Sequence, residues 1–140
     1  MATGISVDDA CVEAFQELKI GHKHRFVIFK INDDHTAVEP LVNGDKDATW
    51  DDFCAQLPAD SCRYAIFDFE FETNDGGKRN KITFVVWTPD VCRVKEKMLY
   101  AGTKDAVKKK LEGIQCEVQA TDNSEIEYDV VKEKASRFDN

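Results

Sequence analysis

Apolar residues near the start of the chain recur every three or four positions, which is the spacing of one face of a helix. This face comprises Val7, Ala10, Cys11, Ala14, Phe15 and Leu18. Ser6 and Asp9 form an S-x-x-D pattern around its start, which predicts a helix capped by Ser6 and ending near Gly21. A second helix is predicted over Thr49–Leu57, with Thr49 as its cap.

Segments rich in β-branched and aromatic residues alternate with these helices and predict strands. The predicted strands are Arg25–Ile31, Thr36–Val42, Arg63–Glu72, Lys81–Trp87 and Cys116–Ala120. Pro40 marks the second of them as an edge strand, and the almost wholly apolar fourth is predicted to be central. In the third, alternation predicts that Asp68, Glu70 and Glu72 form the solvated face. Residues 74–80 predict a hairpin loop.

The longest predicted helix lies in the C-terminal half of the chain. Thr88–Asp90 carries a proline at the favoured first helical position and predicts its start. Its core-facing side is predicted to contain Val91, Val94, Met98 and Ala101. The apolar phase then shifts, which predicts a kink or restart at Gly102–Thr103. Ser124 and Glu127 form an S-x-x-E box, which predicts a last helix through about Ser136.

The order of the elements predicts an α/β (α+β) protein in which helices pack on one mixed sheet. The length of 140 residues fits one domain, and the apolar content of 42% is enough for a packed core. The N-terminus lacks the features of a secretory signal, and no apolar run approaches the roughly 20 residues needed to span a bilayer. We therefore expect a soluble intracellular protein without stable membrane insertion.

Charge is distributed unevenly along the chain. The formal net charge is −8, yet the segment from Arg93 to Lys110 carries +5, because seven basic residues there face two acidic ones. The acidic total disfavours a general nucleic-acid binder. A charge run is most often an ordinary solvated helix face. The one-sided sign favours an acidic partner instead, either a protein surface or an anionic lipid headgroup.

The sequence gives no indication of an enzyme. The histidines His22, His24 and His35 fall in predicted turns or loop edges, and no G-x-S-x-G, H-E-x-x-H or P-loop motif is present. The five cysteines are odd in number and form no C-x-x-C pair, which predicts reduced thiols rather than disulfides or a zinc site. We expect no catalytic residues, no metal and no cofactor.

Two stretches together resemble the actin-depolymerizing factor/cofilin family. They are "WTPDVCRVKEKMLYAGTKDAVKKKLEGIQCEVQATDNSEI" at Trp87–Ile126 and "LPADSCRYAIFDFEFET" at Leu57–Thr73, and the start "MATGISV" is also similar. The resemblance covers essentially the whole chain. It implies an actin-depolymerizing-factor-homology (gelsolin-like) fold spanning residues 1–140, with a core of about 4–138. That fold has a mixed sheet of five or six strands flanked by helices on both faces.

The resemblance also implies a function. Family members bind monomeric and filamentous actin, sever filaments and promote depolymerization, and the acidity of actin would suit the basic helix. The implied monomer-binding residues are Thr3, Gly4, Ile5, Lys95, Lys97, Met98, Lys104 and Asp105. The implied filament-binding residues are Arg79, Lys81, Glu133, Lys134 and Arg137. We expect a monomer in the cytoplasm at the actin cytoskeleton, with the nucleus as a further location.

Regulation is the third implication of the resemblance. The phosphorylated position of the family falls on Thr3, with Ser6 nearby, and a phosphate there would oppose an acidic partner. Phosphoinositides would compete for Lys95, Lys97, Lys108, Lys109 and Lys110. Two alternatives remain open: a module of the same fold that sequesters actin monomers without severing, and a phosphoinositide-binding protein of the membrane surface.

Overall fold

A computed structural model describes residues 4–73 and 75–137 and shows a six-stranded sheet with four α-helices. The strands are β1 Ser6–Val7, β2 His24–Ile31, β3 Ala37–Asp45, β4 Arg63–Glu72, β5 Lys78–Trp87 and β6 Cys116–Ala120. The helices are α1 Asp9–Lys19, α2 Trp50–Ala55, α3 Val94–Lys110 and α4 Tyr128–Ser136, and a 3₁₀ turn covers Asn123–Ile126. This architecture confirms the predicted mixed sheet with packed helices.

The sheet has an antiparallel centre and parallel outer pairs, in the order β1-β3-β2-β4-β5-β6. β5 lies between β4 and β6, as its apolar sequence predicted. β1 pairs with β3 only at Ala37 and Val38, so the outer side of β3 is unpaired at Pro40 within the described chain. Proline is tolerated there because an outer edge needs no backbone donor.

Alternation along the central strands divides the core into two layers, one on each face of the sheet. On one face, α1 and α3 cover Val27, Phe29, Tyr64, Ile66 and Phe84. On the other face, α2 and α4 cover Phe26, Ala65, Phe67, Val85 and Trp87. Each helix therefore has a fixed side of the sheet, and α3 and α4 lie on opposite sides.

The prediction that Ser6 caps the first helix is wrong. Ser6 belongs instead to a strand that pairs with a distant part of the chain. Ser6 and Val7 form β1, and their partners on β3 are thirty-one residues away along the chain. The cap is Asp8, whose carboxylate accepts a hydrogen bond from Ala10 N at 2.8 Å. The helix face itself is confirmed, since Ala14, Phe15 and Leu18 are buried.

The boundaries of α3 and α4 also differ from the prediction. Thr88–Asp90 forms a turn, where Thr88 N donates to Ala120 O, and α3 starts later at Val94. It continues without interruption through Gly102–Thr103, where a kink was predicted. Ser124 lies in the 3₁₀ turn capped by Asp122, so the S-x-x-E box does not cap α4.

The predicted hairpin loop is shorter than expected. Lys78–Asn80 extends β5 and pairs with Glu70–Glu72 of β4. The second helix agrees closely with expectation, because Thr49 and Asp52 form a reciprocal capping box at its start. No helix in residues 4–73 and 75–137 is long and apolar enough to cross a membrane.

Candidate functional site

The side of α3 that faces the sheet is fixed by Tyr100, Thr103 and Val107, which are all buried. Tyr100 Oη accepts a hydrogen bond from Ile31 N at 3.0 Å, and the Tyr64 hydroxyl donates to Tyr100 O. These contacts join α3 to β2 and β4 and set the rotation of the helix about its axis. The opposite side of α3 is therefore held towards solvent.

An apolar strip, which we call the α3 stripe, lies along that side and the turn before it: Val91 in the turn, and Val94 and Met98 on the helix. Their exposed fractions are 76%, 68% and 67%. The prediction that these residues face the core is wrong, because the buried positions are Tyr100, Thr103 and Val107. Large apolar side chains grouped on a surface mark an interaction site more often than isolated ones do. The stripe is thus a candidate docking surface.

The basic residues of α3 fall into two groups. In the first group, the Lys104 and Lys108 ammonium groups contact the Glu117 carboxylate of β6 at 3.0 and 2.6 Å. In the second, Lys95, Lys97, Lys109 and Lys110 have no ion-pair partner among the residues described. The second group offers its full charge to a partner, whereas the single carboxylate of Glu117 cancels one of the two charges of the first group.

Glu117 is the electrostatic centre of the first group. Burial alone would raise the pKa of its carboxyl, but hydrogen bonds from Lys108, Gln119 and Lys104 outweigh burial and lower the pKa to about 2. The same carboxylate raises the pKa of Lys108. The end of α3 is therefore fastened to β6 by groups that stay charged at neutral pH.

Two other predicted monomer-binding residues on α3 have different surroundings. The Lys97 ammonium donates to Asp90 O at 3.3 Å and so braces the turn that leads into α3. Asp105 is exposed near the middle of the helix. Together with Lys95 and Met98, they place one group of predicted contacts on the accessible side of a single rigid helix.

The N-terminal residues reach the same layer through β1. Ile5, implied above as a monomer-binding residue, is only 7% exposed and packs into the core under α1 and α3, so its side chain offers little surface to a partner. Gly4 is exposed at a positive φ of 78°. The Ser6 hydroxyl donates to Thr36 O at 3.2 Å. Thr3 lies outside the described residues.

The predicted filament-binding residues gather on the opposite face of the sheet. Arg79 and Lys81 alternate along β5 opposite Phe71 and Phe69, which belong to the layer under α2 and α4. Glu133 and Lys134 lie on α4, and Arg137, predicted on the same helix, follows directly as its C-cap.

Lys81 of β5 and Lys134 of α4 lie near the same residue, Cys116. Lys81 and Lys134 both act on the Cys116 thiol, and their charges partly offset the rise that burial causes in its pKa. Arg137 Nη2 lies 3.3 Å from Glu133 Oε1 in an exposed pair. The two predicted actin-contact sets are thus separated by the sheet, with the α3 set on one face and the β5–α4 set on the other.

The cysteines, His24 and Asp68 have structural surroundings in the fold. Burial raises the pKa of Cys11 to about 12 and that of Cys54 to about 11, so neither thiol ionises at neutral pH. His24 Nε2 lies 3.4 Å from Glu17 Oε1 on the surface. Asp68, expected on the solvated face, is 8% exposed and accepts a hydrogen bond from Asn80 at 3.0 Å. That interaction holds the β4–β5 hairpin together.

Comparison with known proteins gives consistent matches along the chain. The family model described as cofilin/tropomyosin-type actin-binding protein matches residues 4–136. The chain is 56% identical to actophorin of Acanthamoeba castellanii over 135 residues, which are 96% of this chain and 97% of actophorin. It is 48% identical to actin-depolymerizing factor 7 of Arabidopsis thaliana over 134 residues, 96% of each. The crystal structure of Streptomyces griseoflavus cofilin matches with a TM-score of 0.89 at 45% identity, covering 96% of this chain and 98% of that one.

Proposed function

Because this chain belongs to the cofilin/tropomyosin-type family of actin-binding proteins, we propose that it binds actin monomers and filaments, severs filaments and speeds depolymerization. The family is one of binding proteins, in agreement with the expectation that the chain is not an enzyme. The likeness to the cofilin structure confirms the predicted actin-depolymerizing-factor-homology fold. We further propose that residues 1–140 are one domain with a core of about 4–138.

The α3 stripe is the observation that carries the proposal. Val94 and Met98 are more than two-thirds exposed on a helix that three buried residues hold in place. Lys95 lies among them without an ion-pair partner in the part of the chain described. An apolar centre with a cationic rim fits an acidic protein surface, because the apolar groups supply dry contact area and the charge guides encounter.

The second set supports filament binding. Arg79 and Lys81 lie on the face of the sheet opposite α3, next to α4 with its Lys134. A ligand with contacts on two faces can touch two neighbouring subunits of a polymer, whereas a monomer-sequestering module needs only one surface. Filament contact at this second face therefore favours the severing function over sequestration.

Severing then follows as a binding effect. A protein that binds one filament conformation more tightly than another shifts the filament towards it by the difference in affinity. Boundaries between decorated and bare stretches join two conformations, and we expect breakage there. No covalent chemistry is required of the bound protein.

Phosphoinositide binding is a second proposal and rests on Lys109 and Lys110. Both are exposed at the end of α3 and unpaired among the described residues, whereas Lys108 is bound to Glu117. A lipid headgroup on this side of the protein would compete with actin for α3. Phosphorylation at Thr3 or Ser6 is a further proposed control, since Ser6 is exposed in β1 beside the same layer.

The proposed location is the cytoplasm, at the actin cytoskeleton, with the nucleus as an additional site and a monomer as the working form. The direct test is co-sedimentation with actin filaments together with imaging of filament length. We expect the protein to pellet with filaments and to shorten them. A folded wild-type protein that does neither would refute the proposal, whereas pelleting without shortening would remove severing alone.

A further inference from the structure

Cys62 and Cys92 lie side by side although thirty residues separate them in the chain. Cys62 precedes β4, Cys92 lies in the turn before α3, and Glu96 follows in the first turn of that helix. The two sulfurs and a carboxylate oxygen of Glu96 all lie within 4.8 Å of one another. We propose that these three residues form a binding site for a divalent, thiolate-preferring metal ion of the zinc class.

The spacing of the ligand atoms fits such an ion. Zinc bonds are about 2.3 Å to sulfur and about 2.0–2.2 Å to carboxylate oxygen, so tetrahedral ligands lie roughly 3.5–3.8 Å apart. Atoms that already lie within 4.8 Å of one another reach that spacing through small side-chain rotations. Three protein ligands leave one position for water, as in open zinc sites.

The carboxylate is held in place at the two sulfurs. Cys62 N donates to Glu96 Oε1 at 2.9 Å, which fixes the side chain of Glu96 and leaves its second oxygen available. Outer-sphere hydrogen bonds of this kind orient ligands in known metal sites. Two thiols that only filled a core would need no carboxylate anchored within reach of both sulfurs, whereas the buried Cys11 thiol has a backbone carbonyl, Val38 O, as its hydrogen-bond partner.

The charges around the cluster also suit a cation. Cys62 is 0% exposed and Cys92 7%, and the two thiols are hydrogen-bonded to each other. Binding a divalent ion displaces one proton from each thiol to solvent, without any change of oxidation state. Two thiolates and one carboxylate around a 2+ ion leave a net charge of −1, and the nearby Lys97 ammonium opposes it.

The ion would join three segments that are otherwise held by separate contacts. Cys62 lies directly before β4, Cys92 belongs to the turn that carries Val91, and Glu96 belongs to α3. A bound ion would therefore hold the beginning of the α3 stripe against β4. Any effect of the ion on actin binding rests on the proposed function, but ion binding itself does not, and it is measured without actin.

The test uses the full chain in a non-thiol reductant with cobalt(II) as the probe. We expect one equivalent to bind with a thiolate-to-metal charge-transfer absorption, and zinc to displace it. Cys92→Ser should weaken cobalt affinity at least about 100-fold, and Glu96→Gln about tenfold or more, because each removes a ligand. The matched controls Cys54→Ser and Cys116→Ser remove half-buried thiols elsewhere and should leave affinity unchanged.

Folding is checked first by circular dichroism and an unfolding curve. If Cys92→Ser does not fold, Glu96→Gln decides the question, because glutamine keeps a carbonyl acceptor for Cys62 N and removes only the anionic ligand. Absence of the charge-transfer absorption in the wild-type protein overturns the proposal. Equal affinity in Glu96→Gln and wild type, or an equal loss in Cys54→Ser, overturns it as well.

Discussion

The Lys108 ammonium lies 2.6 Å from Glu117 Oε1 and fastens the last turn of α3 to β6. Lys104 reaches the other oxygen of the same carboxylate at 3.0 Å. One half-buried acid thus pairs with two of the lysines that make the α3 segment so basic. The lysines without an ion pair among the described residues lie at the two ends of the helix, Lys95 and Lys97 at its start and Lys109 and Lys110 at its end.

Acid stability should depend on Glu117. Its pKa is about 2 in the folded protein and 4.5 as the ordinary value, so its stabilisation is complete above pH 4.5 and is lost as the pH falls towards 2. Glu117→Gln should lower the free energy of unfolding at pH 7 by about 1–3 kcal/mol, allowing for partial solvent screening. The difference from wild type should shrink below pH 4.5 in urea titrations. Glu13→Gln, an exposed acid on α1, should show no such pattern.

Met98→Ala should weaken monomer binding about tenfold, because burial of that side chain against a partner contributes about 1.5 kcal/mol. Its stability should change by less than about 0.5 kcal/mol, since Met98 is 67% exposed. Fluorescence titration of labelled actin monomers measures the affinity. Ile20→Ala is the matched control, because Ile20 is an equally exposed apolar residue, at 70%, in another place. It lies at the end of α1, where Lys19 contacts Glu112 O just past the C-terminal end of α3, whereas the α3 stripe lies at the N-terminal end. Equal effects of the two variants would remove the stripe from the interface.

Arg79→Ala combined with Lys81→Ala should spare monomer binding and reduce filament co-sedimentation by roughly tenfold or more. The reason is that both residues lie on the α2–α4 face, away from α3. Lys23→Ala with Lys46→Ala removes the same charge from other exposed positions and serves as the control. Unchanged filament affinity in the first pair would contradict the assignment of this face.

Lys109→Ala and Lys110→Ala should each weaken binding to phosphoinositide-containing vesicles more than Lys108→Ala does. Each free lysine near an anionic surface contributes about 1 kcal/mol, or about a fivefold change, whereas Lys108 is already neutralised by Glu117. Vesicle co-sedimentation with and without phosphoinositide measures the difference, and Lys46→Ala controls for net charge. A larger loss in Lys108→Ala would show that the lipid displaces the ion pair.

Elements whose signals are local were predicted well from the sequence. The capping box of Thr49 and Asp52 and the apolar run of β5 behave as their patterns indicate. The predictions fail where contacts with a distant part of the chain determine the local structure. Ser6 has the sequence pattern of a helix cap, but it pairs with Ala37 of β3 and forms a strand instead.

The face of α3 shows the same limit at the candidate site. Periodicity counts apolar residues, and it favoured Val94 and Met98 because the buried face includes the polar Thr103. The contact from Ile31 N to the Tyr100 hydroxyl, which sets the helix rotation, joins residues sixty-nine apart. The proposed actin-contact residues on this helix come from the family resemblance, whereas the adjacency of Cys62 and Cys92 was not visible in either spacing or resemblance.

The short β1 strand has a consequence for the protein at high concentration. An open sheet edge is a template on which further chains can add, and β3 would offer one along its length. Two residues of β1 occupy the first positions, and Pro40 removes a donor just beyond them. Opening of β1 would therefore expose a ready nucleus for aggregation, so this small strand protects solubility out of proportion to its length.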